Sequence, residues 1–249
     1  LEASARIGDF LVEVAQQKNG LFLAVYDTKT GKIMDSSKKW STQPGSYHAK
    51  LSLGLLNLFE ITKDKRLKES AERICEQSLE FQETNGRFKI DSNGDTHLHP
   101  HCYSAEGLLY AGTKLGIKEF VDSATRATEW ALNNQLKNGG IPCALVDGNF
   151  VQHERSDVLA QVLRLSLLLR TMNKLDEKYL HKIENLKNRL LQFQHTGPLQ
   201  EGGFYFGSDL DGKRLDHLNS WCTMFSIQAI DMYRRHLEEN EGIGLDLLV

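Results

Sequence analysis

The residues richest in possible chemistry lie between His97 and Gly112, in the stretch HLHPHCYSAEGLLYAG. It brings three histidines, a tyrosine and a glutamate to the start of an apolar segment, so imidazole bases, a phenol and a carboxylate share one neighbourhood. Three further clusters have the same setting: Tyr47, His48 and Lys50; His153, Glu154, Arg155 and Asp157; and Asp216, His217, Asn219 and Trp221. Aromatic faces beside carboxylates, amides and an arginine suit a pyranose, which stacks its apolar face on rings while polar groups take its hydroxyls. His101 or His48 is the expected base, with Tyr103 or Tyr47 as proton partner and Glu106 or Asp157 as acid or orienting carboxylate. Arg155 is the expected clamp for an anionic substrate. Tyr47, His99, His153, His217, Asn219 and Trp221 complete the expected binding set.

Each residue also has a purely architectural reading. Ser104, Ser156 and Asp157 have the side chains of helix caps, and Tyr47 and Tyr103 at matching positions fit repeat packing. Glu106 is harder to dismiss, because a carboxylate inside an apolar helix must be paired or shifted in pKa. His97, His99 and His101 at alternate positions would share one face of a ribbon and invite a metal. Pro100 interrupts that ribbon and no H-x-x-x-H or cysteine-pair spacing supports it, so no metal is expected. The chain has no G-x-S-x-G elbow, P-loop or dinucleotide fingerprint, and no cofactor is expected.

Composition narrows the classes further. Thirty basic and 33 acidic residues leave a formal charge of -3 over 249 residues, which offers no electrostatic footprint for nucleic acid or an anionic membrane. No apolar run is long enough to span a bilayer, so the expectation is a soluble, cytoplasmic protein with neither nucleic-acid nor membrane partners. Cys75, Cys102, Cys143 and Cys222 are scattered singly and read as small buried hydrophobes in a reducing compartment.

The elements that must position the clusters repeat along the chain. An amphipathic helix over Ala3 to Gln17 stops at Gly20, and LFLAVYDTKTGKIMD follows as a ribbon or hairpin. After STQPGSYHAK comes LSLGLLNLFEIT, apolar nearly all round and therefore an inner helix. Asp64 to Phe81 carries one apolar stripe among charges, so it is an outer helix. The same order recurs with SAEGLLYAGTKL inside and Lys118 to Leu136 outside, then with VLAQVLRLSLLLRTM inside and Asp176 to Phe193 outside. It closes on the inner helix CTMFSIQAIDMYRRHL. The stop glycines Gly20, Gly86, Gly139 and Gly203 recur every 50 to 65 residues or so, the period of a repeat architecture. No linker-like stretch divides it, so residues 1–249 read as one domain.

The Gln-x-x-x-Gly turns Gln16 to Gly20, Gln82 to Gly86 and Gln135 to Gly139, each followed by apolar or aromatic residues, resemble the repeats of α/α-toroid proteins. That superfamily includes six-hairpin glycosidases, polysaccharide lyases, N-acylglucosamine 2-epimerases, uronic acid epimerases, terpenoid cyclases and protein prenyltransferases. Asn219 to Phe225 is similar to the last inner helix of its carbohydrate-active members. The resemblance implies a mainly α fold: a barrel or open arc of about four helical hairpins with short β-ribbons in the glycine-turn loops. It places the site at the mouth where inner helices begin. The sugar-processing members usually have six hairpins, so the chain is a smaller toroid, an open arc or a piece of a longer one. The implied activity is acid/base chemistry on a sugar, uronic acid or oligosaccharide, as epimerase, lyase or glycoside hydrolase. The alternative is a non-catalytic toroid that binds a glycan or a protein, and it expects no acid and base within reach of one ligand atom. A terpenoid-type site is disfavoured, because D-x-D-D is absent and the inner helices start with polar residues.

Overall fold

The computed structural model describes residues 1–33, 39–90, 92–199, 201–238 and 244–248. Met34 and Asp35 of the first expected ribbon and Asp91 of the second lie outside the described residues. Eight α-helices of four hairpins dominate: α1 (Glu2–Phe10), α2 (Leu51–Thr62), α3 (Lys65–Leu79), α4 (Leu98–Leu115), α5 (Lys118–Asn133), α6 (Ser156–Thr171), α7 (Leu180–Leu191) and α8 (Ser220–Tyr233). A π-helical turn, Leu11–Ala15, extends α1, and a 3-10 turn, Ser46–Lys50, leads into α2.

The division into inner and outer helices follows from sequence. On α6 every side chain from Ser156 to Leu169 is buried, and on α4 all but Tyr103 are buried from Leu98 to Gly112. On α3, α5 and α7 burial is confined to one stripe, such as Leu67, Ala71, Ile74 and Cys75 on α3. Each buried leucine contributes roughly 2 kcal/mol, so the inner helices hold most of the core. α2 packs on α4, α4 on α6 and α6 on α8, while α2 and α8 form no closely packed pair among the described residues. The result is an arc of inner helices backed by outer ones.

Ribbons decorate the turns. β1 (Tyr26–Asp27) and β2 (Lys32–Ile33) form the first hairpin, with Tyr26 opposite Ile33. β3 (Thr96–His97), β4 (Ala144–Val146) and β5 (Asn149–Val151) make one antiparallel sheet, with His97 opposite Ala144 and Ala144 opposite Val151. That sheet ties the second hairpin's loop to the third's.

The turns themselves are built alike. The Gln16 side-chain amide donates to the Gly20 carbonyl of its own turn at 3.0 Å and to the Ser70 carbonyl of α3 at 3.0 Å. Gln82 repeats this on Gly86 and Ser123 of α5, and Gln135 on Gly139 and Lys182 of α7. Each glycine has φ near +90°, and a Cβ there would come within 3.0 Å of a backbone carbonyl of the next outer helix. Only glycine meets both demands.

Two expected boundaries move. α4 starts at Leu98 rather than after Tyr103, because Pro100 falls in the first turn, where no intrahelical N–H bond is required of it. α7 starts at Leu180, preceded by a 3-10 turn that Asp176 caps through Lys178 N–H at 2.8 Å. Ser104 is not a cap. It lies inside α4, and its hydroxyl donates to Ser46 Oγ at 2.9 Å, pinning α4 to the start of α2.

Candidate functional site

Helical phase decides which polar residues meet. His99, Tyr103 and Glu106 stand at i, i+4 and i+7 on α4, and Asp157, Gln161 and Arg164 repeat that spacing on α6. Trp221 and Phe225 start α8, and Lys50 ends the turn that feeds α2. Contacts between α4, α6, α8 and Lys50 join most of them into one cluster: His99 with Asp157, Glu106 with Lys50 and Arg164, and Phe225 with His99, Tyr103 and Arg164.

At its mouth, His99 Nδ1 stands 3.0 Å from Asp157 Oδ2, an ion-pair contact off the line of a hydrogen bond. Arg155 grips the same carboxylate from outside, its Nε donating to Oδ1 at 3.1 Å and its Nη2 to Oδ2 at 2.6 Å. Burial pushes the Asp157 carboxyl up, but the His99 contact and the charges of His99 and Arg155 outweigh it and hold the pKa below the ordinary value. Asp157 is therefore an anion at neutral pH. Tyr103 lies 4.5 Å from His99 ring to ring, Trp40 6.4 Å from it, and Trp221 packs edge-on against Phe225 at 5.4 Å. Burial, with Glu106 and Asp157 nearby, raises the Tyr103 phenol well above its usual range, so it is a neutral hydroxyl.

Deeper, the Glu106 carboxylate accepts from Lys50 Nζ at 2.8 Å and lies 3.5 Å from Arg164 Nη1, which approaches it without hydrogen-bond alignment. Glu106 and Arg164 are fully buried, and the Arg164 guanidinium lies 4.9 Å from the Phe225 ring centre. The same two cations also donate to carbonyls of the segment 244–248: Lys50 to Leu248 at 3.0 Å and Arg164 to Leu247 at 3.2 Å. Gln161 is fully buried beside them, with neither amide atom hydrogen-bonded.

Several expected site residues turn elsewhere. His101 lies two residues from His99 and faces α5, its Nδ1 taking the Phe88 N–H at 3.3 Å and its Nε2 lying 3.1 Å from the Ala127 carbonyl. Burial lowers its pKa to about 4, so the ring is neutral, and both of its nitrogens are taken by backbone groups. His48 packs against Phe22 and Tyr47 and is lowered by burial to about 4 as well. Tyr47 donates its hydroxyl to the Gln43 carbonyl at 2.6 Å, and burial raises its pKa to about 12. Asn219 caps α8 through Cys222 N–H at 3.0 Å, and exposed His217 stacks on Phe206 at the rim. His153 is half-buried next to the strand β5, with its pKa lowered by burial and by Arg155. Glu154 points to α7, where Arg189 holds it at 2.5 Å. Arg155 spends its guanidinium on Asp157 instead of standing free to clamp an anion.

His97 stays on β3 while His99 and His101 project from opposite sides of α4, so the helix start undoes the ribbon alternation that would have grouped them. Among the described residues no three metal-ligating side chains converge. Arg164 and Gln161 were not anticipated. Their signal was an arginine and a glutamine in a largely apolar helix, seven and four residues past Asp157.

No family model and no curated protein matches the chain. Solved structures do. Cellobiose 2-epimerase from Bacillus thermoamylovorans superposes with a TM-score of 0.76 at 12% identity, covering 94% of this chain and 66% of that one. A D-mannose isomerase gives 0.76 at 14%, covering 96% and 66%. The unsaturated glucuronyl hydrolase of Bacillus sp. GL1 gives 0.72 at 14%, covering 96% and 68%. The chain has the α/α-toroid fold. It spans about two thirds of the length of these toroids, and its conserved architecture is the backbone arrangement rather than the sequence. No helix among the described residues is long and apolar enough to cross a membrane.

Proposed function

We propose that this toroid acts on a sugar or uronic acid by proton transfer, with His99 as the base and Asp157 as the carboxylate that orients it. The observation that carries this reading is the 3.0 Å His99–Asp157 contact, which together with Arg155 keeps Asp157 ionised. An imidazole backed by an anion is fixed in orientation, and its conjugate acid is stabilised as it takes a proton. Trp40, Tyr103 and Phe225 surround the dyad with ring faces of the size a pyranose stacks on. The neutral Tyr103 hydroxyl beside His99 is suited to donate a hydrogen bond to a substrate oxygen. Structural neighbours named as a sugar epimerase, a mannose isomerase and a glucuronyl hydrolase support a sugar or uronic acid as the substrate class, and the dyad is what favours proton transfer. Glycosidic hydrolysis needs one carboxyl free to act as acid, and both interior carboxylates are tied to cations. The dyad also favours catalysis over a purely glycan-binding toroid.

The test is solvent exchange. Glucose, mannose, cellobiose and glucuronate are incubated with the protein in deuterium oxide, and label at carbon 2 is followed by NMR. Asp157→Asn is expected to slow exchange by about 100-fold or more, in the range of a lost acid–base group, and His99→Gln by at least as much. His101→Phe serves as the control that should keep its rate. Unchanged exchange in both dyad variants removes them from the reaction.

A further inference from the structure

The innermost polar groups are only partly used by the fold. Gln161 is fully buried, and neither its amide nitrogen nor its amide oxygen has a hydrogen-bond partner among the described residues. Arg164, equally buried, leaves Nε and Nη1 without one, and Glu106 leaves Oε1. Buried donors and acceptors that stay unpaired oppose folding, so this set on three adjoining side chains marks a place for groups that the helices do not supply.

Charge points the same way. Lys50 and Arg164 bring two cations to the one carboxylate of Glu106, in surroundings where solvent screens poorly. What those cations receive from the chain besides Glu106 is neutral. Two successive carbonyls sit on them, Leu248 O on Lys50 Nζ at 3.0 Å and Leu247 O on Arg164 Nη2 at 3.2 Å. The strap that carries these carbonyls is slight: one 3-10 turn, Leu245–Leu248, with Leu248 buried and Gly244 and Asp246 exposed. A single turn of this kind has poor hydrogen-bond geometry and opens locally without the rest of the fold. Lys50 keeps 25% of its side chain exposed, so the cluster has an open flank.

We infer that Lys50, Arg164 and Gln161 form a subsite for the carboxylate of an acidic sugar, and that residues 244–248 are its internal occupant, their carbonyls standing in for the carboxylate oxygens until a ligand displaces them. The ligand brings the negative charge that carbonyls lack, and an arginine edge takes a carboxylate in two parallel bonds. Phe225 lies 4.9 Å from the Arg164 guanidinium and 6.3 Å from the His99 ring, so it joins this subsite to the dyad. Glu106 stands seven residues past His99, about 10 Å along α4, which sets the acidic group apart from the carbon that reacts. The inference rests on the reading above for its ligand class, but its experiment reads binding and strap release, not proton exchange.

Glucuronate and glucose are titrated calorimetrically into the 249-residue chain and into Leu248→Arg, whose added cation repels the strap from Lys50 and Arg164. An internal occupant lowers apparent affinity by the fraction of sites it fills, so glucuronate should bind the variant at least about 10-fold more tightly than the parent. Glucose, which has no carboxylate, should show no such gain. Amide hydrogen exchange on the parent needs no variant to fold: with glucuronate at saturation, residues 245–248 should exchange faster, whereas an ordinary ligand slows exchange. Equal glucuronate affinity in parent and variant, strap amides that exchange no faster, or no glucuronate binding to either protein overturns the proposal. If label exchange at carbon 2 is still lost in His99→Gln under that outcome, the dyad stands and only the strap falls.

Discussion

Glu106 is held between two cations, and neither it nor Arg164 is reached by water. Its own side chain and that of Arg164 are essentially inaccessible, and Lys50 keeps only its flank open. Charges so placed are stable together and costly apart. Glu106→Gln is therefore expected to lose about 3 to 5 kcal/mol of stability, since it leaves Lys50 and Arg164 facing each other. Urea unfolding followed by circular dichroism measures this; a loss under about 1 kcal/mol would mean that water or the segment 244–248 already neutralises the cations. The same scale explains which site residues could be read in advance. Glu106 stood out as a carboxylate in an apolar helix, and counting back three and seven from it gives Tyr103 and His99. His101 competes for attention with an identical side chain two residues away. Only the helix start, which Pro100 obscures, sets the phase that turns one ring inward and the other onto Phe88 and Ala127.

Helices α2 and α4 meet where Gly107 passes the start of α2. A Cβ on Gly107 would collide with the Ala49 carbonyl group and Lys50 N. The residues that would be pushed apart are those whose side chains pair, because Lys50 follows Ala49 and Glu106 precedes Gly107. Gly107→Ala is expected to cost about 2 kcal/mol or more through backbone displacement, and to weaken activity beyond its effect on folding. The comparison that decides is catalytic rate at a temperature where variant and parent are equally folded; equal rates there would mean that α4 yields without moving Glu106. Inner and outer helices were legible as elements because their burial follows the 3.6-residue period, all round or one stripe. The Gln-x-x-x-Gly turns were legible as repeats. Their bridging of consecutive outer helices was not, because the acceptors are backbone carbonyls, which no side-chain pattern marks.

Across the molecule, acid should undo the fold before it undoes the charge network. His48 and His101 are both brought from about 6.5 to about 4 by burial. The unfolded chain thus binds more protons than the folded one between those values, and stability falls as pH drops through that window. At full development each ring accounts for roughly 3 kcal/mol. Asp157 acts in the same direction below its ordinary value near 3.8, since its folded pKa is depressed. Urea midpoints should therefore be flat above about pH 7 and decline toward pH 4, and His101→Phe should remove part of that slope. A variant with the full slope would show that protonation is taken up elsewhere. The overall arc was foreseeable from four repeats of one helical order, whereas the cluster of His99, Glu106, Asp157 and Arg164 needed the packing of α4 on α6.

The glutamine turn carries one more consequence. Three turns bring their own fastener for the outer helix that follows, a glutamine whose amide nitrogen reads main-chain oxygens while its oxygen, at Gln16 and Gln82, takes side chains of that helix. A duplicated hairpin gene segment would arrive with the main-chain half of a working joint whatever sequence it lands beside. Lengthening or shortening such a protein by whole units needs no coordinated change in the neighbours, while point changes at the fastener are felt at once.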